Sequence, residues 1–421
     1  MVFLNKSQAY SYITALVAAF PLLGQKISVF AIILWCVYSL FIMIKMETYR
    51  IDKKDFRNII ILSALYLSYI FSYFFATDKH EVAKLLERNM PFLLFPVFMI
   101  INRQFISKKT LRLSLLVFIV SSVLLCLYVW GVILSQDVEK IFKEDHYYNP
   151  VIRNIFSDTT KIHLPYLGML FVFAALILLY EMLTAITKNY FILLVQALGI
   201  ILLLGSVATF MARTSLFTFF IVAIIIVLKK IKSLKQLLVI GVLGVIFTTA
   251  ILMLPSSQRR IKEGLSAKYE LPHAGQPSEE VNFRYGIYNC VKAILRNNWL
   301  TGVGVDNVQK ELDACYSQYT YRGTDDFNSI SYNSHNQYLD ITLKYGVFGL
   351  MLFLVSLLWG IKNTNTLYQG FIIIIFIALL TENMFTRQVG VIFFTFFNTI
   401  FFVTRTRRMN IERSDINEIR Q

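Results

Sequence analysis

Long apolar runs separated by short polar connections dominate the chain from about residue 8 to residue 404. Most runs approach the roughly 20 residues that a helix needs to cross a bilayer core, and continuous stretches such as 219–228 lack the alternation of a membrane barrel. The pattern therefore predicts an all-α polytopic membrane protein with about 12 transmembrane helices. The predicted spans are 8–24, 27–45, 58–76, 87–102, 112–134, 164–184, 189–207, 210–228, 236–254, 336–359, 369–384 and 388–404.

These spans divide the chain into four parts. Residues 1–254 contain spans 1–9 and one polar segment at 135–163. Residues 255–335 form a large polar loop between spans 9 and 10, with amphipathic helices. Spans 10–12 occupy 336–404, and residues 405–421 form a tail.

The distribution of charge predicts the orientation. The net charge is +15, yet only 16% of residues are charged and 56% are hydrophobic. Basic residues cluster in the segments 45–57, 103–112, 229–235 and 405–408, which all fall on one side of a twelve-span protein. The positive-inside rule then places both termini in the cytoplasm and the segments 135–163 and 255–335 outside. Because the 255–335 loop balances nine Lys/Arg with nine Asp/Glu, nucleic-acid binding is not expected.

The chain offers few signs of a cofactor. No Gly-rich phosphate loop lies on the cytoplasmic side, and no His, Cys or carboxylate group has metal-ligand spacing. We therefore predict a site without metal, cofactor or ATP. Cys290 and Cys315 share the outside loop, where they either form a disulfide or remain buried thiols.

Arg213 is the single charged side chain between residues 191 and 228. It lies in a polar turn between two predicted spans, close to Ser206, Thr209 and Ser215. An arginine at a helix end can extend to lipid headgroups. Alternatively, its rigid, always charged fork can bind phosphate oxygens, which makes Arg213 a candidate anion ligand.

A second basic feature begins at Arg284 in the outside loop. Phe283, Ile287, Cys290, Val291 and Ile294 form an apolar stripe at helical spacing. Arg284, Tyr288, Lys292 and Arg296 follow one another at intervals of four on a neighbouring face. The pattern predicts an amphipathic helix on the membrane surface, with either a solvated basic face or a face on which Arg284, Tyr288 and Lys292 bind a lipid-linked phosphate.

His335 lies where the polar loop meets span 10, among Asn333, Ser334 and Asn336. Ionisable residues at such borders are functional candidates. A neutral imidazole at this position can serve as a general base, or it can simply form hydrogen bonds at a helix start. We expect Ser334 or Asn333 to cap the helix, and Gly346 and Gly349 to permit close helix packing.

Together these motifs resemble the O-antigen ligase/polymerase superfamily. The resemblance rests on a lone arginine after paired spans, an arginine-led amphipathic helix with a Gly-x-Gly turn, and His-Asn-x9-Gly-x-x-Gly. In this chain they are Arg213, then Arg284 with Gly302-Val303-Gly304, then His335-Asn336 with Gly346 and Gly349. At position 350 the chain has Leu where ligases often have Thr, so the acceptor stays open.

The resemblance implies a multi-pass enzyme of the bacterial inner membrane, active on the periplasmic side in lipopolysaccharide biosynthesis. The implied donor is a glycan on undecaprenyl pyrophosphate, and the implied acceptor is a lipid A–core hydroxyl. Arg213 and Arg284 would neutralise the pyrophosphate and His335 would deprotonate the acceptor, with Tyr288, Lys292 and Asn336 binding substrate. Direct displacement would invert the anomeric carbon.

Two alternatives remain. An O-antigen or exopolysaccharide polymerase would use another lipid-linked glycan as acceptor. A transporter of lipid-linked sugars is a third hypothesis, but transporters tend to show paired halves and broken helices near the bilayer centre. No such pairing is visible in this chain, and its polar mass lies outside the bilayer centre.

Overall fold

The computed structural model describes residues 6–45, 51–136, 150–185, 189–230, 283–317, 331–361 and 365–419, with the single residues 241, 258 and 262. Within these residues every regular element is helical. The α-helices are α1 (Lys6–Val17), α2 (Phe20–Lys45), α3 (Lys53–Leu62), α4 (Ala64–Phe75), α5 (Lys79–Asn89), α6 (Pro91–Ile101), α7 (Lys108–Leu134), α8 (Pro150–Thr160), α9 (Leu164–Thr184), α10 (Tyr190–Thr209), α11 (Arg213–Lys230), α12 (Phe283–Asn298), α13 (Val308–Tyr316), α14 (Gln337–Leu358), α15 (Thr366–Thr381) and α16 (Gln388–Ile419).

The helical class is confirmed, but the count of twelve spans is not. In the described part of the chain, six helices are long and apolar enough to cross a membrane. They are α2, α7, α9, α10, α14 and the first 18 residues of α16. A bent pair, α3 with α4, would make a seventh, and α15 is apolar but shorter. The predicted span at 236–254 lies outside the described residues except for residue 241.

Several predicted spans are not single straight helices. The span predicted at 58–76 is the pair α3 and α4, which meet at an angle of 69°. The span predicted at 87–102 begins at the end of α5 and continues as α6, where Pro91 starts the second helix. Hydropathy does not mark the bend between α3 and α4, because the residues on both sides of Ser63 are apolar.

Phenylalanine rings form the centre of the bundle. Phe173 of α9 lies 5.6 Å from Phe118 of α7, 5.1 Å from Phe371 of α15 and 5.1 Å from Phe397 of α16, measured between ring centroids. Tilted and edge-on arrangements of this kind contribute beyond simple burial. Three helices are thereby held around α9, which is buried along most of its length.

Helices α12 and α13 form a small unit with a core of its own. A disulfide joins Cys290 to Cys315. Ile287 and Val291 of α12 pack with Val308 and Leu312 of α13 and with Leu343 of α14. Ile287, Cys290 and Val291 of the stripe expected to rest on the membrane are therefore buried against α13 and α14.

This unit joins the bundle through two backbone hydrogen bonds made next to glycines. Val303 donates its backbone N–H to the Leu343 carbonyl at 2.7 Å, and Val347 donates to the Trp299 carbonyl at 2.9 Å. Gly346 interrupts α14 with φ 65°, and a Cβ there would lie 2.0 Å from the Leu300 carbonyl oxygen. Gly346 therefore permits close contact with the backbone at Leu300, just before the Gly-x-Gly turn. For this residue the expectation of packing between two helices was wrong.

Asp306 makes a third attachment. Its Oδ2 accepts hydrogen bonds from Thr77 N, Thr77 Oγ1 and Asp78 N at 2.9, 2.6 and 3.0 Å. Burial raises the pKa of this carboxyl, but the hydrogen bonds outweigh it and the net pKa is lowered. The carboxylate therefore stays charged and ties the α12–α13 unit to the connection between α4 and α5.

Candidate active site

Two irregular segments meet at the border of the bundle, residues 331–336 before α14 and residues 382–387 between α15 and α16. The first carries His335. The second begins with Glu382, which ends α15 in an extended conformation. Neither segment is α-helical, although residues Met384–Thr386 form one short 3-10 turn.

Glu382 is the residue on which the site is centred. Its side chain is 14% exposed, and its two oxygens face different partners. Oε1 lies 3.6 Å from Arg284 Nη2, and Oε2 lies 3.7 Å from His335 Nδ1. Arg284 Nη2 also donates to the Thr381 carbonyl at 3.2 Å. One carboxylate thus lies within ion-pair distance of two of the three side chains predicted to be catalytic.

The backbone of His335 is constrained, whereas its ring nitrogen Nδ1 is not held by a hydrogen bond in the described structure. Its φ is 44°, in the left-handed region that non-glycine residues rarely adopt, and its N–H bonds to Asn333 Oδ1 at 2.9 Å. Its Nδ1 atom is buried without a hydrogen-bond partner in the described structure. Because buried polar atoms are normally paired, this nitrogen points to a role for the Glu382 carboxylate at 3.7 Å.

Buried hydrogen bonds hold the two segments together. Ser334 Oγ exchanges hydrogen bonds with the Asn383 side chain at 3.1–3.2 Å. Gln337 Oε1 accepts from Phe385 N at 2.8 Å, and Tyr166 donates its hydroxyl to the Asn383 carbonyl at 3.2 Å. The positions of His335 and Glu382 are therefore set by a network outside the reacting groups.

Arg213, the third residue predicted to be catalytic, begins α11 and is exposed. It follows Met211, whose φ is 62°. The first turn of α11 packs on the start of α9, where Ser215 Oγ lies 3.5 Å from the Pro165 carbonyl. Tyr166 connects that position to Asn383, so Arg213 lies on an element next to the site. Arg213 is not within ion-pair distance of Glu382.

The other predicted ligands have structural contacts. Asn336 Oδ1 accepts from Tyr338 N and Leu339 N at 3.0 and 3.1 Å and so caps α14. The expected caps, Ser334 and Asn333, make other bonds instead, because the cap position falls after the turn at His335. Tyr288 is partly buried against the α12–α13 core, whereas Lys292 on the same helix is exposed.

A cavity of about 440 Å³ opens beside the site. Its lining includes Arg88, Lys161, His163, Asn333 and Arg387. Burial lowers the pKa of His163, and Arg387 and Arg153 lower it further against the opposing effect of Glu382. The cavity therefore lies within electrostatic reach of the His335–Glu382 pair.

Sequence reasoning missed Glu382, His163 and Arg387. Glu382 fell within the predicted span 369–384 and was not considered as a site residue. An acid inside an apolar span is itself a functional signal, and Glu382 is such an acid. His163 is the last residue of the predicted outside segment 135–163, a border position comparable with that of His335.

Comparison with known families agrees with the motifs. Residues 192–354 match the family model described as O-antigen ligase. The match includes Arg213, Arg284 and His335 and ends before Glu382. No curated protein matches the chain. The family implies an enzyme of glycan transfer in a membrane, acting on lipid-linked glycans. Over residues 192–354 the chain is therefore similar to the O-antigen ligase family, and the helical fold and the motifs support this likeness.

Proposed function

We propose that this protein is an O-antigen ligase that transfers a glycan from undecaprenyl pyrophosphate to a hydroxyl of a lipid A–core acceptor. The reaction takes place on the periplasmic side of the inner membrane, with both termini in the cytoplasm. The observation that carries the proposal is the Glu382 carboxylate, which faces Arg284 at 3.6 Å and His335 at 3.7 Å. A cationic side chain and an imidazole next to one buried acid suit the two tasks of glycan transfer from a pyrophosphate.

The first task is to stabilise the leaving group. Breaking the bond between the anomeric carbon and the pyrophosphate oxygen places an electron pair and negative charge on the pyrophosphate. Arg284, with Arg213, binds that charge by charge-assisted hydrogen bonds. Arg284 is 45% exposed and its contact with Glu382 is long, so it can turn towards a phosphate without leaving a closed ion pair.

The second task is to activate the acceptor. His335 Nε2 takes the proton of the acceptor hydroxyl, and the oxygen attacks the anomeric carbon opposite the departing pyrophosphate. The new glycosidic bond forms as the old bond breaks, with inversion. The products are the glycosylated acceptor, undecaprenyl pyrophosphate and a protonated His335, which returns its proton to solvent or product.

Glu382 positions the base. A carboxylate that accepts Nδ1–H selects the imidazole tautomer in which Nε2 is the free base, and it stabilises the imidazolium that forms. The distance of 3.7 Å requires a small adjustment before a hydrogen bond forms. Catalytic hydrogen bonds often tighten in this way when substrate binds. Tyr288 and Lys292, on the same helix as Arg284, extend the surface offered to the donor.

One observation favours a polymerase as second candidate. Leu350 stands where ligases often have Thr, and the same site would serve a second lipid-linked glycan as acceptor. The two functions differ in the molecule that His335 deprotonates, and the roles of Arg284 and Glu382 are the same in both.

A reconstitution experiment tests the proposal. Purified protein is given the undecaprenyl-pyrophosphate-linked glycan with either lipid A–core or a second lipid-linked glycan. Glycosylated lipid A–core without nucleotide is the expected product. In cells, deletion of the gene should abolish attachment and accumulate lipid-linked polymer. Elongated lipid-linked glycan in vitro, with single-unit caps in the deletion strain, would instead identify a polymerase.

A further inference from the structure

The cavity of about 440 Å³ beside His335 has no part in the mechanism above. Eleven described residues line it, and none of them is acidic. Two are arginines, one is a lysine and one is a histidine: Arg88, Arg387, Lys161 and His163. A concave site lined by one sign of charge concentrates ligands of the opposite sign.

The charges come from three separate parts of the chain. Arg88 ends α5, Lys161 and His163 precede α9, and Arg387 precedes α16. Arg88 Nη1 donates to the Thr386 carbonyl at 2.8 Å, which fixes one side of its guanidinium and leaves other donors. The exposed Arg387 side chain makes no ion pair or hydrogen bond with the described residues. The fold therefore brings together cationic side chains, few of which are paired with an acidic side chain of the protein.

Neutral partners complete the lining. Gln25 and Gln388 lie at its edge, where Gln25 Nε2 donates to Gln388 Oε1 at 2.7 Å. Asn333 and the Tyr166 hydroxyl add polar groups. The cavity has the volume of a small-ligand site, so it can hold a phosphoryl group together with part of an attached sugar.

We propose that this cavity is an anion subsite that binds a phosphoryl group of one of the two lipid-linked substrates, apart from the contacts assigned to Arg213 and Arg284. The assignment of the ligand to a substrate rests on the proposed function. The anion-binding chemistry rests on the cavity alone. Arg387 and Arg88 are its main ligands, and a bound anion offsets the repulsion between these two positive charges.

Inorganic pyrophosphate is the probe for the first experiment. Its affinity is measured by calorimetry for the full chain in lipid nanodiscs, in protein that carries Arg213→Gln and Arg284→Gln so that the proposed clamp does not contribute. Adding Arg387→Gln should weaken binding about tenfold or more, the usual effect of one charge-assisted hydrogen bond. Arg88→Gln should act in the same direction.

Lys84→Gln is the matched control. Lys84 lies one turn before Arg88 on α5, is exposed, and pairs with Glu81 rather than lining the cavity. It removes the same charge from the same helix, and affinity should stay unchanged. Equal affinity of the Arg387→Gln protein and its parent would overturn the subsite, as would equal losses for Lys84→Gln and Arg88→Gln.

Transfer kinetics then identify the substrate. In otherwise wild-type protein, Arg387→Gln should raise KM for the donor alone if the subsite holds donor phosphate, or for the acceptor alone if it holds an acceptor phosphate. Unchanged KM for both overturns the assignment to a substrate. Pyrophosphate binding is measured without turnover. If the protein shows no glycan transfer but still binds pyrophosphate in an Arg387-dependent way, the proposed function is contradicted and the subsite is not.

Discussion

Asp55 and Glu382 are both acids at the borders of membrane helices, and they are paired in opposite ways. Asp55 is 3% exposed and makes a close ion pair with Arg103, beside a cavity of only about 70 Å³. Glu382 is 14% exposed, faces two cationic partners at 3.6 and 3.7 Å, and lies next to the larger cavity. The charges of the first pair are in close contact, whereas Glu382 meets Arg284 and His335 only at longer distances.

This difference separates a structural acid from a candidate functional one. Arg103 connects the end of α6 to α3, and close contact between the charges offsets their burial. Around Glu382, neighbouring residues hold the two segments together instead, through the hydrogen bonds of the Ser334–Asn383 pair and of Gln337. Fixed neighbours around loosely paired reacting groups are what a preorganised site requires.

The largest effect is expected at His335. His335→Ala should lower turnover about 10²–10⁴-fold, the usual contribution of a general base, while donor binding remains. Turnover and donor affinity are measured separately in nanodiscs. His80→Ala, an exposed histidine on α5, is the control and should leave both unchanged. Wild-type turnover of His335→Ala, or a parallel loss of donor affinity, would show that His335 is structural.

The next effect concerns the arginines. Arg284→Lys and Arg213→Lys should each raise the barrier by about 2–4 kcal/mol, as loss of one oxyanion contact does, because an ammonium cannot present the planar fork of donors. The measurement is kcat/KM for the donor. Arg103→Lys at the Asp55–Arg103 pair is the comparison and should change kcat/KM little. Near-normal values for both site variants would exclude the clamp.

The free energy of unfolding should depend more on the Asp55–Arg103 pair than on Glu382. Asp55→Ala removes the buried carboxylate that faces Arg103, and the free energy of unfolding should fall by about 3 kcal/mol, as when other buried pairs are broken. Glu382→Gln removes only long contacts and should lower it by less than about 1 kcal/mol. Denaturant titration in detergent micelles measures both. Equal losses would mean that Glu382 is as structural as Asp55.

Much of the fold could be predicted from hydropathy. The span predicted at 164–184 coincides with α9, since polar residues border it on both sides. Bends could not be predicted, because α3 and α4 meet at 69° within one continuous apolar run. The break at Gly346 also depends on a partner distant in sequence, the turn at Leu300, which local pattern does not register.

Only part of the candidate site could be predicted from the sequence. Arg284 and His335 attract attention because they are ionisable residues at polar borders. Glu382 was hidden within a run counted as a span, and its meaning depends on two partners from distant segments. Local pattern shows which side chains are unusual, whereas the pairing of Glu382 with both needs the tertiary structure.

The smallest effect concerns pH. Because the folded-state pKa of His163 is lowered, mainly by burial, the unfolded chain binds a proton more readily. Stability should therefore decrease as pH falls below about 6.5, the ordinary value for histidine. His163→Gln cannot take up this proton, so the Tm difference between wild type and variant should shift against wild type from pH 8 to pH 5. A constant difference would contradict this.

A double-mutant cycle between His335 and Glu382 tests the central claim most directly. Single-turnover transfer rates are measured for His335→Ala, Glu382→Gln and the double variant, with donor affinity recorded for each. If Glu382 acts by positioning His335, Glu382→Gln should slow wild-type protein about 10–10³-fold and slow the His335→Ala protein hardly further. Independent, multiplicative losses in the double variant would contradict the account, because Glu382 would then act without the imidazole.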